Sequence, residues 1–188
     1  MGIPDPSFVA TERFDASDGE KWIKYCDRAK IPGLVELVGL DGILCGGVLT
    51  EFESEDWRHF TLINKEVLLQ GYFRDLDYLL QRVAHIPRKN ILGLYRNSDT
   101  HVEIPPSPAG FRFLGYDLID DETQISALTT CGGFPGSFSN GELNRFGLIP
   151  GFSRAVEVQR DLMERHGEDS HARCGRYAIW RLNTDCVL

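Results

Sequence analysis

The stretch FRFLGYDLIDDETQISALTTCGG, residues 111–133, decides the fold. From Phe111 to Leu118 the apolar side chains fall on both faces of an extended chain, which is typical of a strand covered on both sides. A second apolar run begins at Ile125, and the acidic residues before it predict a turn. The sequence therefore predicts a hairpin over residues 111–130, and the other apolar segments must pack against it.

Asp117 lies inside the apolar part of this hairpin. An isolated charge among apolar side chains is costly, so a carboxylate there must be ion-paired, hydrogen-bonded or protonated. The structural alternatives are an ion pair with Arg112 or Arg181 and exposure at the polar edge of the strand. Asp117 is thus a candidate buried carboxylate, and a raised pKa in a cleft would make it a candidate acid or base.

The segments on either side of residues 111–133 carry both helix and strand patterns. Apolar residues at helical spacing predict a helix after Ser17, one over residues 72–85, a short one after Ser139 and a longer one from Phe152 to Gly167. Asp41-Gly42 between two apolar runs predicts a second hairpin over residues 34–49. Further strands are predicted at Asn90–Tyr95 and Tyr177–Leu182. The predicted fold class is α+β, with a mixed or mainly antiparallel sheet packed by three to four helices.

The predicted domain organisation is simple. Residues 1–16 show no clear period and predict a loosely ordered N-terminal arm, so one compact α+β domain covers residues 17–188. The prolines at 105, 106 and 108 form a stiff connector, which is the one candidate boundary, or seam, in this domain. The parts on either side of the seam are too small to be separate domains.

Composition argues against several classes of partner. The 188 residues carry a formal net charge of −8, and no stretch gathers Lys and Arg. Nucleic-acid binding needs a basic face, so the sequence predicts no nucleic-acid partner. No apolar window is long enough to span a bilayer, which predicts no membrane association. The oligomeric state is left open by the sequence.

The cysteines indicate the compartment and bear on metal binding. Five of them are widely scattered, which is not a disulfide framework and predicts a reduced, cytoplasmic protein. His171 and Cys174 have the spacing of two metal ligands, but zinc needs two more and usually takes them as a second pair. No cofactor-binding motif is present. The sequence therefore predicts neither a metal nor a cofactor.

Cys131 carries the enzymatic alternative. It is followed by two glycines, whose N–H groups could stabilise a thiolate and let a substrate approach the backbone. His171 and Asn183 lie downstream, and the order Cys, His, Asn also occurs in papain-like cysteine enzymes. The alternative hypothesis is a thiol-dependent hydrolase or transferase that uses Cys131 and His171.

An acidic run leads to the main hypothesis. Glu51, Glu53, Glu55 and Asp56 directly precede Trp57. An aromatic anchor among carboxylates suits a basic protein partner, because the charges steer association and the ring supplies buried area. The same pattern is also typical of a strand that enters the core after a solvated acidic turn. From the acidity, and because no catalytic signature or cofactor motif is present, we predict a non-enzymatic intracellular acidic binding protein, an inhibitor or immunity-type partner of a basic protein.

Overall fold

The computed structural model describes residues 7–64, 70–96, 107–120, 123–129, 134 and 136–183. The strands are β1 (Ser7–Glu12), β2 (Phe14–Asp15), β3 (Glu36–Leu37), β4 (Phe60–Asn64), β5 (Gln70–Phe73), β6 (Lys89–Arg96), β7 (Phe111–Asp120) and β8 (Cys174–Leu182). The helices are α1 (Glu20–Ala29), α2 (Leu76–Arg82) and α3 (Phe152–His166). Short 3-10 turns cover Ala16–Asp18, Asp56–Arg58, Asn140–Glu142 and Ser170–Ala172.

Six strands form one antiparallel sheet in the order β4-β5-β1-β6-β8-β7, and β2 pairs with β3 in a small separate ribbon. The α+β fold class is thereby confirmed, with three helices in the described part of the chain. Within the described residues, no helix has the length and apolar character needed to cross a membrane.

The two faces of the sheet are covered differently. One face packs against α2 and α3, with Phe8, Ile91 and Trp180 of the sheet in the same cluster as Leu79 and Val158 of the helices. The opposite face is covered mainly by irregular segments within residues 38–40 and 146–148. Side chains alternate between the two faces along each strand, so one strand contributes to both cores.

The predicted N-terminal arm is wrong for residues 7–16. Ser7–Glu12 forms β1, which lies inside the sheet between β5 and β6 and is buried from Ser7 to Thr11. A strand that is covered on both faces needs no polar alternation, so its sequence shows no period. Residues 1–6 lie outside the described part of the chain.

The predicted hairpin over residues 34–49 is also wrong. Glu36–Leu37 pairs with Phe14–Asp15 rather than with the following segment. Asp41 instead starts a tight turn, because its Oδ1 atom accepts hydrogen bonds from the N–H groups of Ile43 and Leu44 at 2.9 and 2.8 Å. An aspartate before glycine can form such a local turn as readily as a hairpin.

The hairpin predicted over residues 111–130 forms only in part. Its first strand is β7, but the long partner of β7 is β8. The return past the turn consists of one bridge, Ile119 to Ser126, with the N–H of Ala127 donating to the carbonyl of Leu118. Residues 121–122 and 130 lie outside the described chain. The nine residues of β8 offer β7 a longer ladder than the local return does.

Candidate functional site

Trp57 stands on the 3-10 turn that precedes β4. Its side chain is 51% exposed, although one edge packs against Phe60 with the ring centroids 5.6 Å apart. A large aromatic side chain that is half exposed on an ordered turn loses little conformational freedom when a partner covers it. Trp57 is therefore suited to act as an anchor.

Asp56 fixes the turn from inside. It is fully buried, and its oxygens accept hydrogen bonds from the N–H of Glu53 at 2.7 Å, the hydroxyl of Tyr78 at 2.7 Å and Nε of Arg82 at 3.0 Å. Burial acts to raise the pKa of Asp56, but these three hydrogen bonds together hold that pKa below its usual range. The prediction that Asp56 belongs to the exposed acidic surface is wrong. Asp56 instead positions Trp57.

The other three carboxylates of the run are exposed around this turn. Glu53 forms an ion pair with Arg82 at 3.1 Å, and Glu55 forms one with Arg58 at 2.8 Å. Glu51 has no ion pair within the described chain. Exposed ion pairs are weak and exchange readily, so these carboxylates remain accessible to an incoming cation. We name Trp57 with Glu51, Glu53 and Glu55 the Trp57 surface.

Asp117 is buried, with 2% of its surface exposed, so the alternative of exposure at the edge of the strand is wrong. It accepts hydrogen bonds from the N–H groups of Leu40 and Leu118 at 3.1 and 2.9 Å and from the hydroxyl of Ser126 at 2.8 Å. Burial raises its pKa to about 6, and the nearby carboxylate of Asp41 acts in the same direction.

The predicted ion pair of Asp117 is wrong. Within the described residues no cation lies within ion-pair distance of Asp117, and Arg181 binds Glu36 instead at 2.6 Å. Ser126 links the carboxylates of Asp117 and Asp41, because its hydroxyl donates to the first and its N–H donates to the second at 2.8 Å. Backbone N–H groups and a hydroxyl group thus donate the hydrogen bonds that the carboxylate of Asp117 needs. This arrangement is typical of a carboxylate with a structural role.

Of the three residues in the enzymatic alternative, the structure describes His171 and Asn183, and these two lie far apart. His171 lies in the turn before β8, whereas Asn183 follows the end of β8. Nine extended residues separate them, which is about 30 Å of strand. His171 instead lies beside Asp120, with Nδ1 and Oδ2 3.3 Å apart. Cys131 lies outside the described residues.

Glu36 is a site residue that the sequence analysis missed. It is 4% exposed and is held by Arg13, Asn90 and Arg181. The signal was present, because Glu36 interrupts the apolar run 34–40 just as Asp117 interrupts its own strand. A charge inside an apolar run predicts a buried, partnered group in both places.

The described residues do not form a metal centre. No group of three or more His, Cys, Asp or Glu side chains in the described part of the chain could hold a metal ion. His171 and Asp120 lie side by side, and no third His, Cys, Asp or Glu of the described residues completes a metal site with them. Cys131 and Cys186 lie outside the described ranges. No protein-family model, no curated protein and no solved structure matches this chain.

Proposed function

We propose that this protein is a non-enzymatic binding protein, an inhibitor or immunity-type partner that blocks a basic protein through the Trp57 surface. The observation that carries the proposal is the half-exposed ring of Trp57 on a turn fixed by the buried Asp56. A cytoplasmic location is part of the proposal. It is supported by Cys26 and Cys45, which are free thiols.

Charge supports a basic partner. Three exposed carboxylates accompany Trp57, and the chain as a whole carries a net charge of −8. Such a surface attracts a cationic protein over a distance of about 10 Å at ordinary ionic strength. The carboxylates then favour rapid association, while the burial of the ring governs the lifetime of the complex.

The test begins with identification of the partner. The wild-type chain and Trp57→Ala are immobilised side by side, and proteins from the source cell that are retained only by the wild type are identified by mass spectrometry. We expect a basic protein in this group. The purified partner is then used for kinetic measurements by surface plasmon resonance.

The kinetics separate the roles of charge and ring. Trp57→Ala should speed dissociation by about 30-fold or more, which corresponds to about 2 kcal/mol for a central anchor. Reversing Glu51, Glu53 and Glu55 to Lys should mainly slow association, and added salt should have the same effect on the wild type. Met163→Ala is the matched control, because Met163 is also exposed (55%) but lies on α3. Equal loss in both alanine variants would contradict the proposal.

The contact between His171 and Asp120 favours a second candidate, the thiol-dependent hydrolase or transferase. A carboxylate beside Nδ1 orients an imidazole so that Nε2 can act as a base. In this candidate Cys131 supplies the nucleophile, and Asp120 takes the place that the sequence analysis gave to Asn183. Cys131→Ser separates the two candidates, because it should abolish activity in an enzyme and leave partner binding unchanged in a binding protein.

A further inference from the structure

The ends of four strands enclose a cavity of about 280 Å³ that the Trp57 surface does not share. Arg13 follows β1, β6 begins at Lys89, Arg112 lies at the start of β7, and Arg181 lies near the end of β8. The register brings these ends together, because Arg181 is opposite both Leu92 of β6 and Arg112 of β7. The described residues that line the cavity are Arg13, Lys89, Asn90, Ile91, Arg112, Arg181, Leu182 and Asn183.

The lining is cationic in an acidic protein. Four of these residues are Lys or Arg, two are Asn, and none is Asp or Glu. The cations come from four separate stretches of sequence, so no basic cluster is visible until the strands pair. Within the described ranges, this acidic protein therefore places no Asp or Glu side chain in the wall of the cavity.

Arg112 and Arg181 are placed together without a shared carboxylate. They are directly opposite on neighbouring strands, where like charges are destabilising. Both guanidinium groups also lie against the ring of Phe146, with Cζ 5.9 and 5.0 Å from its centroid. Arg112 has no ion pair within the described chain. An anion bound between the two side chains would offset this repulsion.

The buried carboxylate of Glu36 orients the hydrogen-bond donors that line the cavity. Glu36 accepts two hydrogen bonds from Arg13 at 3.0 and 3.1 Å, one from Arg181 at 2.6 Å and one from Asn90 at 2.8 Å. The single charge of Glu36 is shared by two guanidinium groups, and Arg13 also lies 3.4 Å from a carboxylate oxygen of Asp15. Neither carboxylate is among the described residues of the cavity wall. This arrangement fixes the orientation of the donors and leaves the cavity positive, which is the design of a preorganised binding site.

We propose that this cavity binds the phosphate group of a small phosphorylated molecule. A phosphate monoester carries a charge of about −1.5 to −2 at pH 7 and presents three acceptor oxygens, so it matches several cations better than one carboxylate does. Arginine forks bind such oxygens in a bidentate manner, and a lysine adds a point charge. A volume of about 280 Å³ accommodates one phosphate group with a small organic body.

Isothermal titration calorimetry tests this site with defined probes. Glycerol 3-phosphate, inorganic phosphate and succinate are titrated into the full chain at pH 7.5 and constant ionic strength. We expect saturable binding of the two phosphates, and weaker binding of succinate. Tighter binding of succinate would overturn the assignment to phosphate, and absence of binding by all three probes would overturn the site.

Variants locate the binding within the molecule. Arg112→Gln should weaken phosphate binding at least tenfold and leave the unliganded fold unchanged, because Arg112 is exposed and has no ion pair within the described chain. Lys89→Gln should also weaken binding. Arg160→Gln is the matched control, because it removes the same charge from an exposed position on α3. Equal losses in Arg112→Gln and Arg160→Gln, or no loss in Arg112→Gln, would overturn the proposal.

Discussion

Two buried carboxylates in this molecule have opposite pKa shifts. Asp56 and Asp117 are 0% and 2% exposed. Asp56 accepts hydrogen bonds from one backbone N–H group and one hydroxyl group, and Asp117 accepts them from two backbone N–H groups and one hydroxyl group. Asp56 also has Arg82 at 3.0 Å, and its pKa is lowered despite its burial. Asp117 has only neutral donors, and burial raises its pKa to about 6.

The comparison shows what one cation contributes to a buried carboxylate. Neutral donors satisfy the lone pairs of both groups, but in Asp117 they do not overcome the cost of removing a charge from water. In Asp56 the guanidinium group of Arg82 adds enough stabilisation of the anion to outweigh the cost of burial, so the pKa is lowered. The first carboxylate therefore stabilises the fold as an anion, whereas the second is more easily accommodated as a neutral acid.

The largest effect should follow from Asp56→Ala. The substitution leaves Arg82 and Tyr78 without their shared acceptor, and removal of one partner of a buried ion pair costs about 3 kcal/mol or more. Urea unfolding followed by circular dichroism measures the free energy of unfolding. Glu55→Ala is the control, because its exposed pair with Arg58 should be worth less than about 1 kcal/mol. Similar losses in the two variants would contradict the comparison.

Asp117→Ala should destabilise the protein less at pH 7, by about 2 kcal/mol, because the loss of an acceptor for three donors is partly offset by removal of a buried charge. The folded pKa of about 6 lies above the ordinary value of 3.8, so the folded state binds the proton more tightly than the unfolded chain does. The stability that Asp117 contributes is thus fully present below pH 3.8 and is lost as the pH rises through 6.

Unfolding measurements at two pH values test this sign. The destabilisation by Asp117→Ala should be about 1 kcal/mol larger at pH 5 than at pH 7. Asp56 has the opposite sign, since its lowered pKa gives stability above the unfolded value that is lost in acid as the pH falls through the folded pKa. The destabilisation by Asp56→Ala should therefore not increase between pH 7 and pH 5. A destabilisation by Asp117→Ala that does not change with pH would show that its carboxyl group does not titrate in this range.

Ser126→Ala should give the smallest effect. It removes the hydroxyl that donates to Asp117 and accepts from the N–H of Leu128 at 3.2 Å, so we expect a loss of about 1 kcal/mol and a further rise in the pKa of the Asp117 carboxyl group. Titration of the Asp117 carboxyl carbon by NMR spectroscopy measures the pKa directly. Ser153→Ala, at an exposed position on α3, should leave that titration unchanged. A pKa of Asp117 that stays the same in Ser126→Ala would mean that the hydroxyl does not stabilise the anion.

The same contrast explains what could be predicted from the sequence. The helices α1 and α3 were predicted because their apolar spacing is local, and Asp117 was a candidate for burial because its immediate neighbours are apolar. Asp56 has the same kind of neighbours as Glu51 and Glu55, and its burial depends on Arg82, 26 residues away. The positive cavity was missed for this reason too, since Arg13, Lys89 and Arg181 meet only through strand pairing.

The position of β8 has a consequence for folding during synthesis. β8 lies between β6 and β7, although both of these strands precede it in the chain. About 80 residues separate β6 from β8, and translation at about 5–20 residues per second needs about 4–16 seconds to add them. During that interval β6 and β7 each expose an unpaired edge, which is a template for association with other chains. A nascent chain released before Cys174 would keep both edges open and would be prone to aggregation.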